Sequence, residues 1–144
     1  MLKWILGVIV GYIVGSAVMM GVHIATQPMY PPPEGVDVWD PDQRDKVEEW
    51  METLPNGAFA LALLAHMLGT AAGAATTMAI VGRERIKPAI VIGVLFTVAG
   101  IINIFSVPHP GGFPFADIPC YLIAAWLVGK LMLKKPAGAA ETIA

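Results

Sequence analysis

The sequence predicts an all-α membrane protein: a four-transmembrane-helix bundle with a short amphipathic helix in its first extracytoplasmic loop. Three observations lead there. Of the 144 residues, 56% are hydrophobic and 14% charged, and the mean hydropathy is +0.67, a balance too apolar for an ordinary water-soluble domain. Four apolar runs, about 4–25, 58–81, 88–107 and 118–133, approach the ~20 helical residues that a hydrocarbon core requires. The charges are sorted between the connections. Seven of the nine Lys and Arg residues (Lys3, Arg83, Arg85, Lys87, Lys130, Lys134, Lys135) fall at the termini and the middle connection, and nine of the eleven acids fall in the other two. By the positive-inside rule this places both termini of a multi-pass membrane protein in the cytoplasm.

The first span carries no formal charge and holds Gly7, Gly11 and Gly15 at a four-residue spacing. Three positions without side chains on one stripe let a second backbone approach closely. A cleaved signal peptide, with Lys3 as its basic region and Gly15, Ser16 and Ala17 as its cleavage site, is the alternative; the apolar run continues to Ala25, beyond the usual length of such a segment.

The loop that follows, from about Thr26 to Gly57, holds Glu34, Asp37, Asp40, Asp42, Asp45, Glu48, Glu49 and Glu52. Pro31, Pro32 and Pro33 impose a stiff polyproline-like arm. Asp40, Pro41 and Gln43 spell a helix start, and a helix over about 41–54 places Val47, Trp50, Met51 and Leu54 on one face. Its polar face is mainly acidic, which favours docking across the end of the bundle over lying on lipid. Tyr30, Trp39, Trp50 and His109 are the candidate outer surface.

In the second span, Ala62, His66, Gly69, Thr70, Gly73 and Thr77 share one helical face, while Leu61, Leu64, Met67, Leu68, Ala71 and Met78 share the other. The small, polar face should pack on protein and the Leu and Met face on lipid. Gly69 and Gly73 join Gly7, Gly11 and Gly15 as packing positions. The tight basic turn at Gly82–Lys87 makes the second and third spans a hairpin, with Pro88 acceptable in the first turn of the third. Asn103 shares a face there with Phe96 and Gly100 and suits an interhelical hydrogen bond. The fourth run is the weakest, because it is short and includes Lys130, which must snorkel to the interface. Asp117, ahead of Ile118 and Pro119, reads as its N-cap.

His66 is the foremost candidate site, an ionisable group well inside a span and costly without a partner. If the first span packs beside it, Tyr12, Ser16 and His23 join His66, Thr70 and Thr77 in a polar path. The plain reading is a neutral histidine that bonds a hydroxyl or carbonyl and holds helices together. His23, His109, Asp117 and Cys120 have the atom types of zinc or copper ligands, but their spacing gives no ligand pair or cluster, so no metal or cofactor is expected. The single Cys120 excludes an intramolecular disulfide. Neither a nucleophile elbow, a phosphate loop, a dinucleotide fingerprint nor a zinc-protease helix occurs, which argues against an enzyme.

The run Tyr30, Pro31, Pro32, Pro33, Glu34, Gly35, Val36, Asp37, with Asp40, Pro41 and then Leu54, Pro55, Asn56, Gly57, resembles uncharacterised small bacterial four-span membrane proteins with a Tyr-Pro-Pro-Pro-x-Gly-x-Asp outer-loop motif. The likeness extends to His109 and Pro110. It implies topology and no particular activity. Those proteins tend to carry an acid seven residues before the tyrosine and a histidine three before it, where this chain has His23 and Gln27.

The expected function is a non-catalytic scaffold or accessory protein that self-associates or joins a larger membrane complex. The first alternative is a proton or small-solute transporter or channel using the polar path around His66, and the second is a membrane enzyme or metal-binding protein. The expected partners are the lipid bilayer and either further copies of the chain in a homo-oligomer or the other subunits of a membrane complex, and no nucleic acid.

Overall fold

The computed structural model describes residues 1–134; Lys135, counted above among the basic residues of the last terminus, lies outside them. Helix α1 covers Leu2–Thr26, α2 Arg44–Thr53, α3 Asn56–Val81, α4 Lys87–Ser106 and α5 Phe113–Met132. All but α2 are long and apolar enough to cross a membrane, and the described residues contain no strand. Alternate connections fall at opposite ends. The acidic end carries the α1–α3 segment and the α4–α5 turn; the basic end carries both helix termini and the α3–α4 turn.

Helix α3 is the central element. It packs on α1, from Gly7 beside Val81 to His23 beside His66, and also against α5 and α4, while α4 and α5 pair with each other. Glycine makes the α1–α3 contact possible. A Cβ on Gly15 would stand 2.7 Å from Gly69 O and one on Gly73 2.8 Å from Gly11 O, so the two backbones are in contact. Thr77 Oγ1 donates to Gly73 O, one turn back, and stands 3.1 Å from Gly7 O across the interface. With no water to exclude between lipid-bathed helices, such close backbone packing supplies much of the association energy.

The core runs through Ala74, Met78, Ala89, Ile92, Phe96, Cys120, Tyr121 and Ala125. Met78 therefore departs from the lipid-facing role expected of it. It is wholly buried, whereas Leu64 and Leu68 are exposed as that face requires. Near the end of α3 the face rotates into the α4 hairpin, and Gly82, at φ +136°, makes the turn. The basic end is closed further by Lys134 N–H donating to Arg83 O at 2.9 Å.

The segment before α3 starts with a 3₁₀ turn at Gln27–Met29, followed by the proline arm. A second 3₁₀ turn, Pro41–Gln43, comes before α2, so the helical segment expected over 41–54 is a tight turn followed by a shorter helix. Asp40 caps it by accepting from Asp42 N at 3.0 Å, and Gln43 Nε2 donates to the same carboxylate at 3.0 Å. Val47 is fully buried and Trp50, Met51 and Leu54 are half-buried.

Helix α5 differs most from expectation. It begins at Phe113, with Pro114 in its first turn, rather than at Ile118. The N-cap role expected of Asp117 is thereby overturned: the residue lies inside the helix and is completely buried. The glycine pair Gly111–Gly112 ends the turn, and a span of adequate length needs those extra residues.

Candidate functional site

Asp117 and Tyr121, one turn apart on α5, face His66 on α3. His66 Nδ1 lies 2.5 Å from Asp117 Oδ1 and 2.9 Å from Tyr121 Oη, and Tyr121 Oη donates to Asp117 Oδ2 at 3.1 Å. Cys120 Sγ donates weakly to Asp117 Oδ1 at 3.8 Å. The phenol proton is committed to the carboxylate, so one further proton along the Nδ1 to Oδ1 line satisfies both of those atoms. The rings of His66 and Tyr121 also stack, with centroids 5.3 Å apart. His66 Nε2 is left as the polar ring atom without a hydrogen bond among the described residues.

A cluster of this kind is costly to bury and is kept only where its members satisfy one another. Here the partners are supplied in one step, because residues four apart on a helix point the same way. Tyr121 is positioned by Gly100 on α4: a Cβ there would come within 2.6 Å of the tyrosine ring. The face of Asn103, Phe96 and Gly100 noted in the sequence thus seats an aromatic ring.

Above this cluster a cavity of about 820 Å³ opens toward the acidic end. Its floor includes His66, Tyr121, Phe96 and Tyr12, the last two stacked at 4.8 Å. Ser16, Met19 and His23 of α1 form one wall, and Ala99, Gly100 and Asn103 of α4 another. Phe59 and Ala62 of α3 complete it, with Tyr30, Trp39 and Trp50 from the preceding segment at its mouth. His23 meets His66 edge-on, ring centroids 5.3 Å apart.

His109 sits at the rim, with its ring stacked on Phe113 at 5.1 Å and its Nδ1–H donating to Val107 O at 2.7 Å. Burial holds its pKa below the ordinary value, against the upward pull of the Val107 carbonyl and Asp117; His66 adds to the lowering. This histidine is therefore kept neutral more readily than a solvated one.

The path of residues expected around His66 divides. Tyr12, Ser16, His23 and His66 share the cavity wall. Thr70 is wholly buried one turn below His66, and its hydroxyl has no partner among the described residues. Thr77 lies two further turns down, where its hydroxyl is engaged with Gly7 and Gly73, so it belongs to the helix packing. Gly7, Gly11, Gly15, Gly69 and Gly73 all lie in the α1–α3 and α3–α4 contacts. Tyr30, Trp39, Trp50 and His109 line one cavity, with Trp39 the most exposed of the four.

Tyr121 is absent from the expected site residues, and Asp117 was expected as an N-cap rather than as a partner of His66. The signal for them was present: Asp117, Cys120 and Tyr121 recur at helical spacing, and the fourth run is too short to span unless its helix starts before Asp117. Among the described residues no group of three or more His, Cys, Asp or Glu side chains is arranged to hold a metal ion. Comparisons with protein-family models, with curated proteins and with solved structures find no match.

Proposed function

We propose that the chain is a membrane protein that handles a small solute by a proton-linked mechanism, with its acidic end outside and its basic end in the cytoplasm. The observation that carries this reading is the His66–Asp117–Tyr121 cluster beneath an 820 Å³ cavity. That volume lies within the ~300–1,000 Å³ of small-molecule sites. Ionisable groups at such depth are expensive, and in transporters they mark proton and solute sites. The orientation rests on the basic residues of the termini and the α3–α4 turn.

The basic half is shut by glycine-mediated packing and by the Tyr12–Phe96 stack. This conformation therefore corresponds to the outward-open one, and passage of solute needs α1 and α4 to part at that stack. The scaffold or accessory role expected first, by self-association or within a larger complex, does not call for a polar cavity of this kind, and the α1 glycine stripe packs on α3 within the chain.

The test is flux in liposomes with an entrapped pH-sensitive dye, over a panel of amines, sugars and carboxylic acids. Wild-type protein is expected to move protons when one of these gradients is imposed, and His66→Leu, folded and reconstituted equally, to abolish the movement. Flux equal in the His66→Leu protein, or none with any solute, would overturn the reading.

A further inference from the structure

The cavity separates α1 from α4. The two helices meet around Phe96, which stacks on Tyr12 and lies so close to Gly15 that a Cβ there would come within 2.8 Å of its ring. Toward the acidic end, Ser16, Met19 and His23 face Ala99, Gly100 and Asn103 across open space. Met20 and Ile24 line the cavity and are also strongly exposed, so its α1 edge coincides with the surface that meets lipid. A solute dissolved in the bilayer thus has a side entrance.

The charges facing His66 are equally informative. Helix α5 supplies Asp117, Cys120 and Tyr121; α1 supplies His23 and Tyr12; the α4–α5 turn supplies His109; α4 supplies only the neutral Asn103. Tyr30 and the tryptophans reach in from the arm and α2. No Lys or Arg lines this cavity, and Arg44 lies in a separate hollow beside Phe105.

Charge neutrality then sets what the site prefers. With the phenol proton held by Asp117, the His66–Asp117 pair is neutral when Nε2 carries a proton, whether the second proton resides on Nδ1 or on Oδ1. Loss of the Nε2 proton leaves one uncompensated negative charge in a low-dielectric setting, which is costly unless a cation replaces it. Tyr12, Tyr30, Trp50, Phe59, Phe96 and Phe113 line the same cavity from floor to mouth, and aromatic rings attract organic cations. The acid excess of the segment at the mouth raises the local concentration of cations.

We propose that the cavity takes an amphipathic organic cation, which enters from the bilayer between α1 and α4 and replaces the proton on His66 Nε2. The inference rests on the proton-linked reading above and names its substrate class. The exchange is one for one: a proton leaves Nε2 for water in the cavity, the cation takes its place over the rings, and the site stays neutral.

The experiment is titration of wild-type protein in nanodiscs with tetraphenylphosphonium, followed by tryptophan fluorescence, with triphenylphosphine oxide as the neutral analogue. The cation is expected to bind about tenfold more tightly per pH unit through the titration range, releasing one proton per cation bound into weakly buffered solution. The neutral analogue is expected to bind weakly and without pH dependence. Asp117→Asn is expected to weaken cation binding at least tenfold, and proton release by the wild-type protein stands as evidence even if that variant misfolds. Equal, pH-dependent binding of the neutral analogue would overturn the substrate class while leaving proton linkage in place. Cation binding without proton release would overturn both, and no binding of either compound would overturn the cation inference alone, since the solute panel tests proton linkage independently.

Discussion

The two halves of the bundle are built on opposite rules. In the basic half, Gly7, Gly11 and Gly15 bring α1 against the α3 backbone, Gly93 admits Ala125, Gly129 admits Ile86, and no room is left. In the acidic half α1 and α4 stand on opposite sides of a cavity, with Ser16 and His23 lining one wall and Ala99 and Asn103 the other. Small residues close one half of the bundle, while in the other half side-chain hydrogen bonds of the polar cluster join α3 to α5 beneath the cavity.

Substitutions that add bulk should separate the halves most strongly. Gly15→Leu forces a side chain into Gly69 O and Phe96 and is expected to cost about 3 kcal/mol or more. Ser16→Leu, the next residue, directs its bulk to the cavity and is expected to cost about 1 kcal/mol or less. Equilibrium unfolding of both variants in one detergent measures the difference, and equal costs would erase the distinction between halves.

The next largest effect tests whether the cluster holds α3 to α5. Asp117→Leu or His66→Leu alone leaves a buried ionisable group without its partner, at about 3–5 kcal/mol. The double variant is expected to lose much less than the sum of the two, because the second substitution removes the group that the first one stranded. Additive losses in the same unfolding assay would show that the pair is not energetically joined.

The closed half was the more legible in sequence. A four-residue glycine spacing means the same thing wherever a helix forms, so the packing positions could be placed without knowing the partner. His66 was legible too, since an ionisable residue inside an apolar run stands out. Its partners were obscured by local grammar. Asp117 before Ile118 and Pro119 has the form of a helix start, and Tyr121 lies in an apolar run that gives no hint of which helix it faces. Only tertiary packing brings a residue 51 positions away into contact. Thr77 shares the face of His66 by helical spacing, and its hydroxyl is engaged deeper in the α1–α3 packing.

The smallest expected effect is at the rim. The pKa of His109 is lowered in the folded protein, so the folded state binds that proton less readily than the unfolded state does. Its contribution to stability is therefore full above the ordinary histidine value of about 6.5 and is lost as pH falls through the lower folded value. Wild-type protein should lose melting temperature modestly on acidification below that point, and His109→Gln should reduce the loss. An unchanged profile would place the acid sensitivity elsewhere, such as in the cluster at the cavity floor.

The bond between His66 and Asp117 also bears on how the chain is made. Helix α5 is the least apolar of the four long helices, and it carries a carboxylate where lipid offers no partner. Ribosomal synthesis delivers α3 to the membrane before α5, so His66 is already in place when Asp117 arrives. The last helix thus enters beside a waiting partner, and Asp117 meets in His66 a residue made long before it.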